Sequence, residues 1–331
     1  MKQIEHVIFI LGMHRSGTSA VTRLLNILGA DVSDNLLQGH KDVNQKGFWE
    51  NKAIIDLHDE ILGKLSSTWF DFRNLPHEWW LDDAIRPYHK KIVDVLARDF
   101  RNHQLIVIKD PRLCRLLPIW LHALENIAKQ ISCILVMRNP LEVVNSLVKR
   151  NGFDSEMVMR LWLAYVLESE CYSRGLPRVI VEYSSILADW QKEVDHISNA
   201  LDIKWPMAMD KVCQLIAEDL DSSLRHHYAD NRDPERLDHI AQKALTVYDQ
   251  LISKGYLDDI NLNQYDELTG RDLADLAYRT NVLLFKKSQH FHELGKKHAS
   301  ALRTIQEKNQ ELKQIKSHWA YRILKQLFVL K

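Results

Sequence analysis

The sequence predicts an α/β fold, a P-loop-type parallel sheet flanked by helices with a C-terminal helical extension, and three observations carry that reading. Unalternating, β-branched apolar runs recur at Val7–Leu11, Leu105–Ile108 and Ile131–Met137, with Arg178–Val181 as a fourth, which is the pattern of strands buried on both faces. Helically spaced stretches separate these runs, and that alternation builds a parallel sheet. The first run leads directly into a glycine-bearing turn, Gly12-Met13-His14-Arg15-Ser16-Gly17-Thr18-Ser19, that opens a helix.

Behind the turn, Val21, Leu24, Leu25 and Leu28 share one helical face, and Gly29 is placed to end the helix in a left-handed conformation. Asn139-Pro140 opens a further helix after the third strand. Residues 153–172 and 190–225 read as helical. From about Arg225 the chain turns polar, and His226–Glu235 lacks the periodicity of a core element. The expected organisation is therefore a domain over 1–225, a helical appendage over 226–285 and an amphipathic or coiled-coil helix over 286–331. In that last segment Leu294, Ala301, Ile305, Leu312, Ile315 and Trp319, with His298 and Lys308 in the gaps, form a seam for a partner helix or a second copy of the chain. His318–Lys331 suits packing on its own domain, docking on a partner, or peripheral contact with a membrane.

Across 331 residues, Lys plus Arg and Asp plus Glu balance at 44 each, which argues against a nucleic-acid binder that works by bulk positive charge. Any anion site must be local. Cys114, Cys133, Cys171 and Cys213 are scattered, without metal-ligand or disulfide-framework spacing, so reduced packed thiols and no metal site are expected. The first apolar run is too short for a signal segment and no run reaches membrane-spanning length, which makes the cytoplasm the expected location.

A loop between a buried strand and a helix gathers unpaired backbone N–H groups and the positive end of the helix dipole, so an anion belongs at residues 12–19. Gly12 and Gly17 have the spacing of a nucleoside-triphosphate loop, but Thr18 stands where the Lys should follow, and the cation is Arg15 inside the loop. That arrangement suits a phosphate carrying a sulfate better than a magnesium triphosphate. A P-loop kinase using Mg-ATP is the enzymatic alternative, and a nucleotide-fold scaffold acting through its C-terminal heptads is the non-catalytic one.

His14-Arg15-Ser16-Gly17-Thr18-Ser19 resembles the 5′-phosphosulfate loop of the sulfotransferase family, in its Arg-bearing bacterial form. The block Ile134–Met137, Arg138, Asn139-Pro140 and Ser146 resembles the element with which that family binds the 3′-phosphate of 3′-phosphoadenosine-5′-phosphosulfate (PAPS). The resemblance covers about Val7 to Trp190 and implies a PAPS-dependent sulfotransferase with 3′,5′-adenosine diphosphate as product. It implies that His14, Arg15, Ser16, Gly17, Thr18 and Ser19 hold the 5′ end and that Arg138 and Ser146 bind the 3′-phosphate. Tyr183 resembles the Tyr that many members place near the nucleotide, or is an ordinary strand-end residue.

Lys109-Asp110-Pro111-Arg112 resembles the Lys-Asp-Pro element of the tyrosylprotein and bacterial carbohydrate branches, which gives Lys109 a part in transition-state stabilisation; the alternative is an ion pair with a carboxylate. Those branches place a catalytic Glu where Glu50 stands, although Glu50 also suits the start of the helix that follows. His14, His40, His58 and Asp110 are the rival bases. Similarity to the carbohydrate branch makes a saccharide or glycan the expected acceptor. No copy of the Arg-Lys-Gly element that closes over the 3′-phosphate in many relatives is found here.

Overall fold

The structure is a computed structural model that describes residues 3–37, 47–101, 103–219 and 238–257, together with Lys308. The chain divides into two compact units, Met1–Ala274 and Asp275–Lys331. All elements below belong to the first, and the expected C-terminal helix over 286–331, with its seam, lies outside the described residues except for Lys308.

Four strands, β1 (Ile4–Leu11), β2 (Leu105–Lys109), β3 (Ala128–Met137) and β4 (Arg178–Glu182), form one parallel sheet in the order β2-β1-β3-β4. Successive strand side chains alternate between faces. Ile8 and Ile10 of β1 therefore point into one layer and Phe9 into the other, where it meets Trp120 edge-on at 5.8 Å. Val7–Leu11, Ile106–Ile108 and Cys133–Met137 are buried throughout, which is why these runs are apolar without alternation, whereas β4 alternates buried and half-buried residues.

The helices are α1 (Thr18–Ile27), α2 (Lys52–Lys64), α3 (Arg86–Asp99), α4 (Leu113–Leu124), α5 (Pro140–Asn151), α6 (Ser155–Tyr172), α7 (Tyr183–Ala188), α8 (Trp190–Leu201), α9 (Met209–Asp219) and α10 (His239–Lys254). Val21, Leu24 and Leu25 of α1 join Val194, Ile197 and Leu201 of α8 and Val212 and Ile216 of α9 over one face of the sheet. Each fully buried aliphatic side chain of this kind contributes about 1.5–3 kcal/mol.

One expectation is corrected. The helical region read over 190–225 is two helices as far as it is described, because Asp202 turns left-handed (φ 51°) after α8 and Pro206 cannot continue a helix. The connecting loop docks on the end of α1, where Met207 N–H donates to Leu28 C=O at 3.0 Å and a Cβ on Gly29 would lie 2.8 Å from Pro206. Helix α10, within the helical appendage expected over 226–285, belongs to the first unit and packs on α5, α6 and β4. Tyr248 of α10 donates its hydroxyl hydrogen to Glu182 Oε1 at 2.6 Å.

Because all four strands run the same way, their carboxyl ends open on one edge, where a ligand site in such sheets is found. The residues at that edge are Gly12, Lys109, Arg138 and Tyr183.

Candidate active site

The loop after β1 reverses sharply, with Arg15 (φ 70°) and Gly17 (φ 92°) in the left-handed region. Gly17 is required there twice over, since a Cβ would also lie 2.1 Å from Cδ2 of Tyr183, whose ring roofs the loop. At the loop's start, Gly12 N–H donates to Cys114 Sγ at 3.0 Å, and a Cβ on Gly12 would lie 2.7 Å from the carbonyl oxygen of Val136. The thiol serves as an acceptor, and burial pushes its pKa up to about 12.

Helices α2, α5, α6, α8 and α10 each begin with an Asn or Asp side chain that accepts a first-turn N–H. Helix α1 begins at Gly17 without a side-chain cap and without an acidic residue in its first turn. Ala20 N–H donates back to the Gly17 carbonyl at 3.0 Å, while the N–H groups before it have no helical carbonyl four residues back, which leaves a positive pole facing the loop.

Two side-chain groups flank this pole. On one side Arg15 Nε donates to Ser146 Oγ at 2.9 Å, and an Arg138 N–H donates to the Arg15 carbonyl at 3.1 Å. The Arg138 guanidinium lies 5.1 Å from the centre of the Tyr183 ring and donates to Glu142 Oε2 at 2.8 Å. Burial, and then the charge of Arg138, lower the pKa of Arg15. An anion between these two guanidinium groups would relieve their mutual repulsion, so the residues present fit a phosphate.

On the other side Lys109 donates to Glu50 Oε1 at 2.5 Å, to the Phe48 carbonyl at 2.9 Å and to Ser19 Oγ at 3.2 Å. Ser19 Oγ donates in turn to the Phe48 carbonyl at 3.1 Å. Glu50 is buried, and burial raises its pKa although Lys109 opposes the rise. The ion pair considered as an alternative role for Lys109 is therefore present, and its carboxylate is the candidate base itself.

The approach to Glu50 is built by local constraints. Leu37 N–H donates to the Glu50 carbonyl at 2.7 Å, and Lys52 N–H to the Asn35 carbonyl at 2.9 Å. Asn51, not Glu50, caps α2: it accepts from Ile54 N–H at 3.1 Å and donates to Ser33 Oγ at 3.0 Å and Asp99 Oδ2 at 2.8 Å. Trp49 holds a left-handed φ of 57° beneath the Arg23 guanidinium, 4.8 Å from the ring centre. Such a conformation costs about 1–3 kcal/mol in a residue with a side chain.

The rival bases fall elsewhere. His58 is fully buried: its Nε2 accepts from Trp120 Nε1 at 2.8 Å, which leaves the ring proton on Nδ1, 3.2 Å from Asp110 Oδ2. Burial alone would raise the pKa of Asp110, but Arg112, with N–H to carboxylate distances of 3.0 and 3.1 Å, holds it well below the usual range. His14 packs its ring 4.7 Å from Trp69 and 5.9 Å from Tyr165, and its Nε2 is sealed from solvent without a hydrogen-bond partner. Burial holds its pKa well below the usual value, so the ring is neutral. His40 lies outside the described residues.

Tyr183, which the sequence places after the fourth strand, is the first residue of α7 and the roof of the loop. Sequence reasoning missed Glu142 as the partner of Arg138, although their four-residue separation across a helix start is a readable signal. It also missed Arg150, one turn beyond Ser146 on α5, whose guanidinium lies 5.9 Å from the Trp69 ring centre. Trp69 is held by its own carbonyl, which accepts from Tyr165 Oη at 2.5 Å, while Arg115 anchors the loop beyond it by donating to the Asp71 and Arg73 carbonyls and to Glu168. Among the described residues no group of metal-binding side chains is present.

Comparison with known proteins gives one family model, described as Sulfotransferase family, that matches residues 7–207. The nuclear prelamin A recognition factor of Danio rerio is 26% identical over 166 residues, which is 49% of this chain and 33% of that protein. The chain thus matches about a third of the length of that curated relative. Among solved structures, the sulfotransferase domain of the Synechococcus PCC 7002 olefin synthase has a TM-score of 0.40 at 17% identity, covering 81% of this chain and 94% of that one. The sulfotransferase domain of the curacin biosynthetic pathway has a TM-score of 0.39 at 14% identity, covering 77% and 99%. A sulfotransferase from Mycobacterium avium has a TM-score of 0.37 at 14% identity, covering 80% and 75%.

Proposed function

The chain belongs to the sulfotransferase family, an enzyme family that transfers sulfuryl groups, and from that premise we propose that it moves the group from PAPS to a hydroxyl on a saccharide or glycan. The observation that carries the proposal is that Arg15–Ser146–Arg138 and Ser19–Lys109–Glu50 both adjoin one uncapped helix start, the first through the loop before Gly17 and the second through the first turn of α1. One group is cationic and suits a phosphate monoester. The other pairs a cation with a buried carboxylate and suits the transfer step.

In this reading PAPS is the donor substrate. The loop from His14 to Ser19 and the first turn of α1 hold its 5′ end, and Arg138 and Ser146 hold its 3′-phosphate, with Arg15 linking the two through its bond to Ser146 and Tyr183 alongside. The acceptor oxygen forms a bond to sulfur as the bond from sulfur to the 5′-phosphate oxygen breaks, and Glu50 takes the hydroxyl proton. Charge grows on the departing phosphate, where the N–H groups of the loop and of the helix start are already oriented towards it. Lys109 neutralises charge on the sulfuryl oxygens.

Calorimetric titration with 3′,5′-adenosine diphosphate and, separately, with Mg-ATP tests the donor assignment. Preferential binding of the bisphosphate, weakened in Ser146→Ala, supports it. Selective binding of Mg-ATP sinks it and leaves a kinase.

A further inference from the structure

Among the described residues most arginine side chains meet a carboxylate: Arg112 meets Asp110 and Asp59, Arg115 meets Glu168, Arg160 meets Glu156 and Arg178 meets Glu170. Arg150 differs. Among the described residues no carboxylate pairs with it, and its only polar side-chain contact is a donation from Nε to Asn151 Oδ1 at 2.6 Å.

Its position is also unusual. The guanidinium lies 5.9 Å from the centre of the half-buried Trp69 ring, which is backed by His14 at 4.7 Å and Phe153 at 5.8 Å. Arg150 is open to solvent. Yet protein crowding on one side, and then the charge of Arg15, push its pKa down to about 10, while the charge of Glu50 acts in the other direction. Arg150 therefore remains a cation at neutral pH, within electrostatic reach of the candidate base.

We propose that Trp69 and Arg150 form the acceptor subsite, Trp69 taking the apolar face of a sugar ring and Arg150 an anionic substituent on that ring, a carboxylate or a phosphate. Aromatic faces pack against the C–H face of a ring whose polar tips stay wet. A guanidinium fork matches both planar carboxylates and phosphates, which makes Arg150 a residue that determines specificity. The inference rests on the saccharide reading above and narrows it to acidic saccharides.

The test is calorimetric binding, at saturating 3′,5′-adenosine diphosphate, of p-nitrophenyl β-glucoside, its 6-phosphate and p-nitrophenyl β-glucuronide. The protein should bind at least one charged glycoside roughly tenfold or more tighter than the neutral one, the worth of a charge-assisted hydrogen bond. The two charged probes then separate carboxylate from phosphate. Arg150→Ala should abolish the preference and leave the neutral glycoside and the bisphosphate unchanged, whereas Trp69→Ala should weaken all three glycosides.

Equal binding of charged and neutral probes, or binding of none, overturns the proposal. So does weaker bisphosphate binding by Arg150→Ala, which would put Arg150 at the donor. A wild-type protein that ignores the bisphosphate altogether brings down the donor reading first, and that result is visible before any glycoside is added.

Discussion

Lys109 Nζ stands 2.5 Å from Glu50 Oε1 and directs its remaining protons to Ser19 Oγ and the Phe48 carbonyl. An ammonium has three protons to donate, and all three are committed. Lys109 can hold a sulfuryl oxygen only by giving up one of these partners. If Glu50 is the partner released, it loses the charge that opposes the effect of burial and becomes a stronger base as the donor settles.

Glu50→Gln should lower kcat by roughly a hundredfold to ten-thousandfold, the usual worth of a positioned base, with bisphosphate binding retained. Steady-state sulfation assays and calorimetry check the two halves. A Glu50→Gln protein with ordinary turnover would remove Glu50 from the mechanism.

The pH profile carries a second signature. The base works ionised, and its pKa lies above the ordinary 4.5. Activity should therefore rise with pH through a value above that of a free Glu. In Lys109→Gln the residual activity should show this limb shifted upward, because burial then acts unopposed. A limb that stays fixed on removing Lys109 would belong to another group.

Gly17→Ala should abolish bisphosphate binding, because the new methyl meets the Tyr183 ring 2.1 Å away at a φ of 92°. The double variant Gly17→Ala, Tyr183→Ala relieves the clash but not the backbone strain, so calorimetry should show partial recovery. Full binding by the single variant would mean that the loop has another conformation.

Arg138→Ala should cost about 3 kcal/mol in urea unfolding, since it strips a buried Glu142 of its guanidinium partner. Arg138→Met with Glu142→Gln should regain most of that stability and still bind the bisphosphate poorly. Recovery of binding along with stability would assign Arg138 to the fold alone.

His6 on β1 bonds Ser132 at 2.7 Å, and burial lowers its pKa to about 4. The unfolded chain binds this proton near pH 6.5 and the folded chain does not, so stability present above 6.5 falls as pH drops towards 4, by about 3 kcal/mol in all. His6→Gln should flatten the dependence of the urea midpoint over that interval; an unchanged slope would trace it to other groups.

The four strands and the glycine-bearing loop after the first were legible because their signals are local: an apolar run such as Ile131–Met137 and a turn such as Gly12–Ser19 declare themselves within a few residues. The direct bond of Arg15 to Ser146 was not foreseen: family likeness set Arg15 at the 5′ end of the donor and Ser146, 131 positions on, at its 3′-phosphate. Asn51 took the capping role considered for Glu50, a choice settled by which side chain reaches Ile54 N–H. Arg150 and Trp69 were invisible as a pair, because Tyr165 and Arg115 hold that loop through carbonyl contacts that residue type does not encode. The break between α8 and α9 was available in Pro206 and was overrun by the helical spacing on either side.

Tyr183 covers Gly17, the preceding Glu182 accepts from Tyr248, and Tyr248 belongs to α10. The segment that the family model matches ends at residue 207, before α10 begins. For anyone grafting this domain into another polypeptide, the natural cut is therefore the wrong one: a transplant ended there would leave behind the strut beneath the roof of its own loop, and it should keep α10 together with Leu257, whose carbonyl accepts from Arg174 at 3.0 Å.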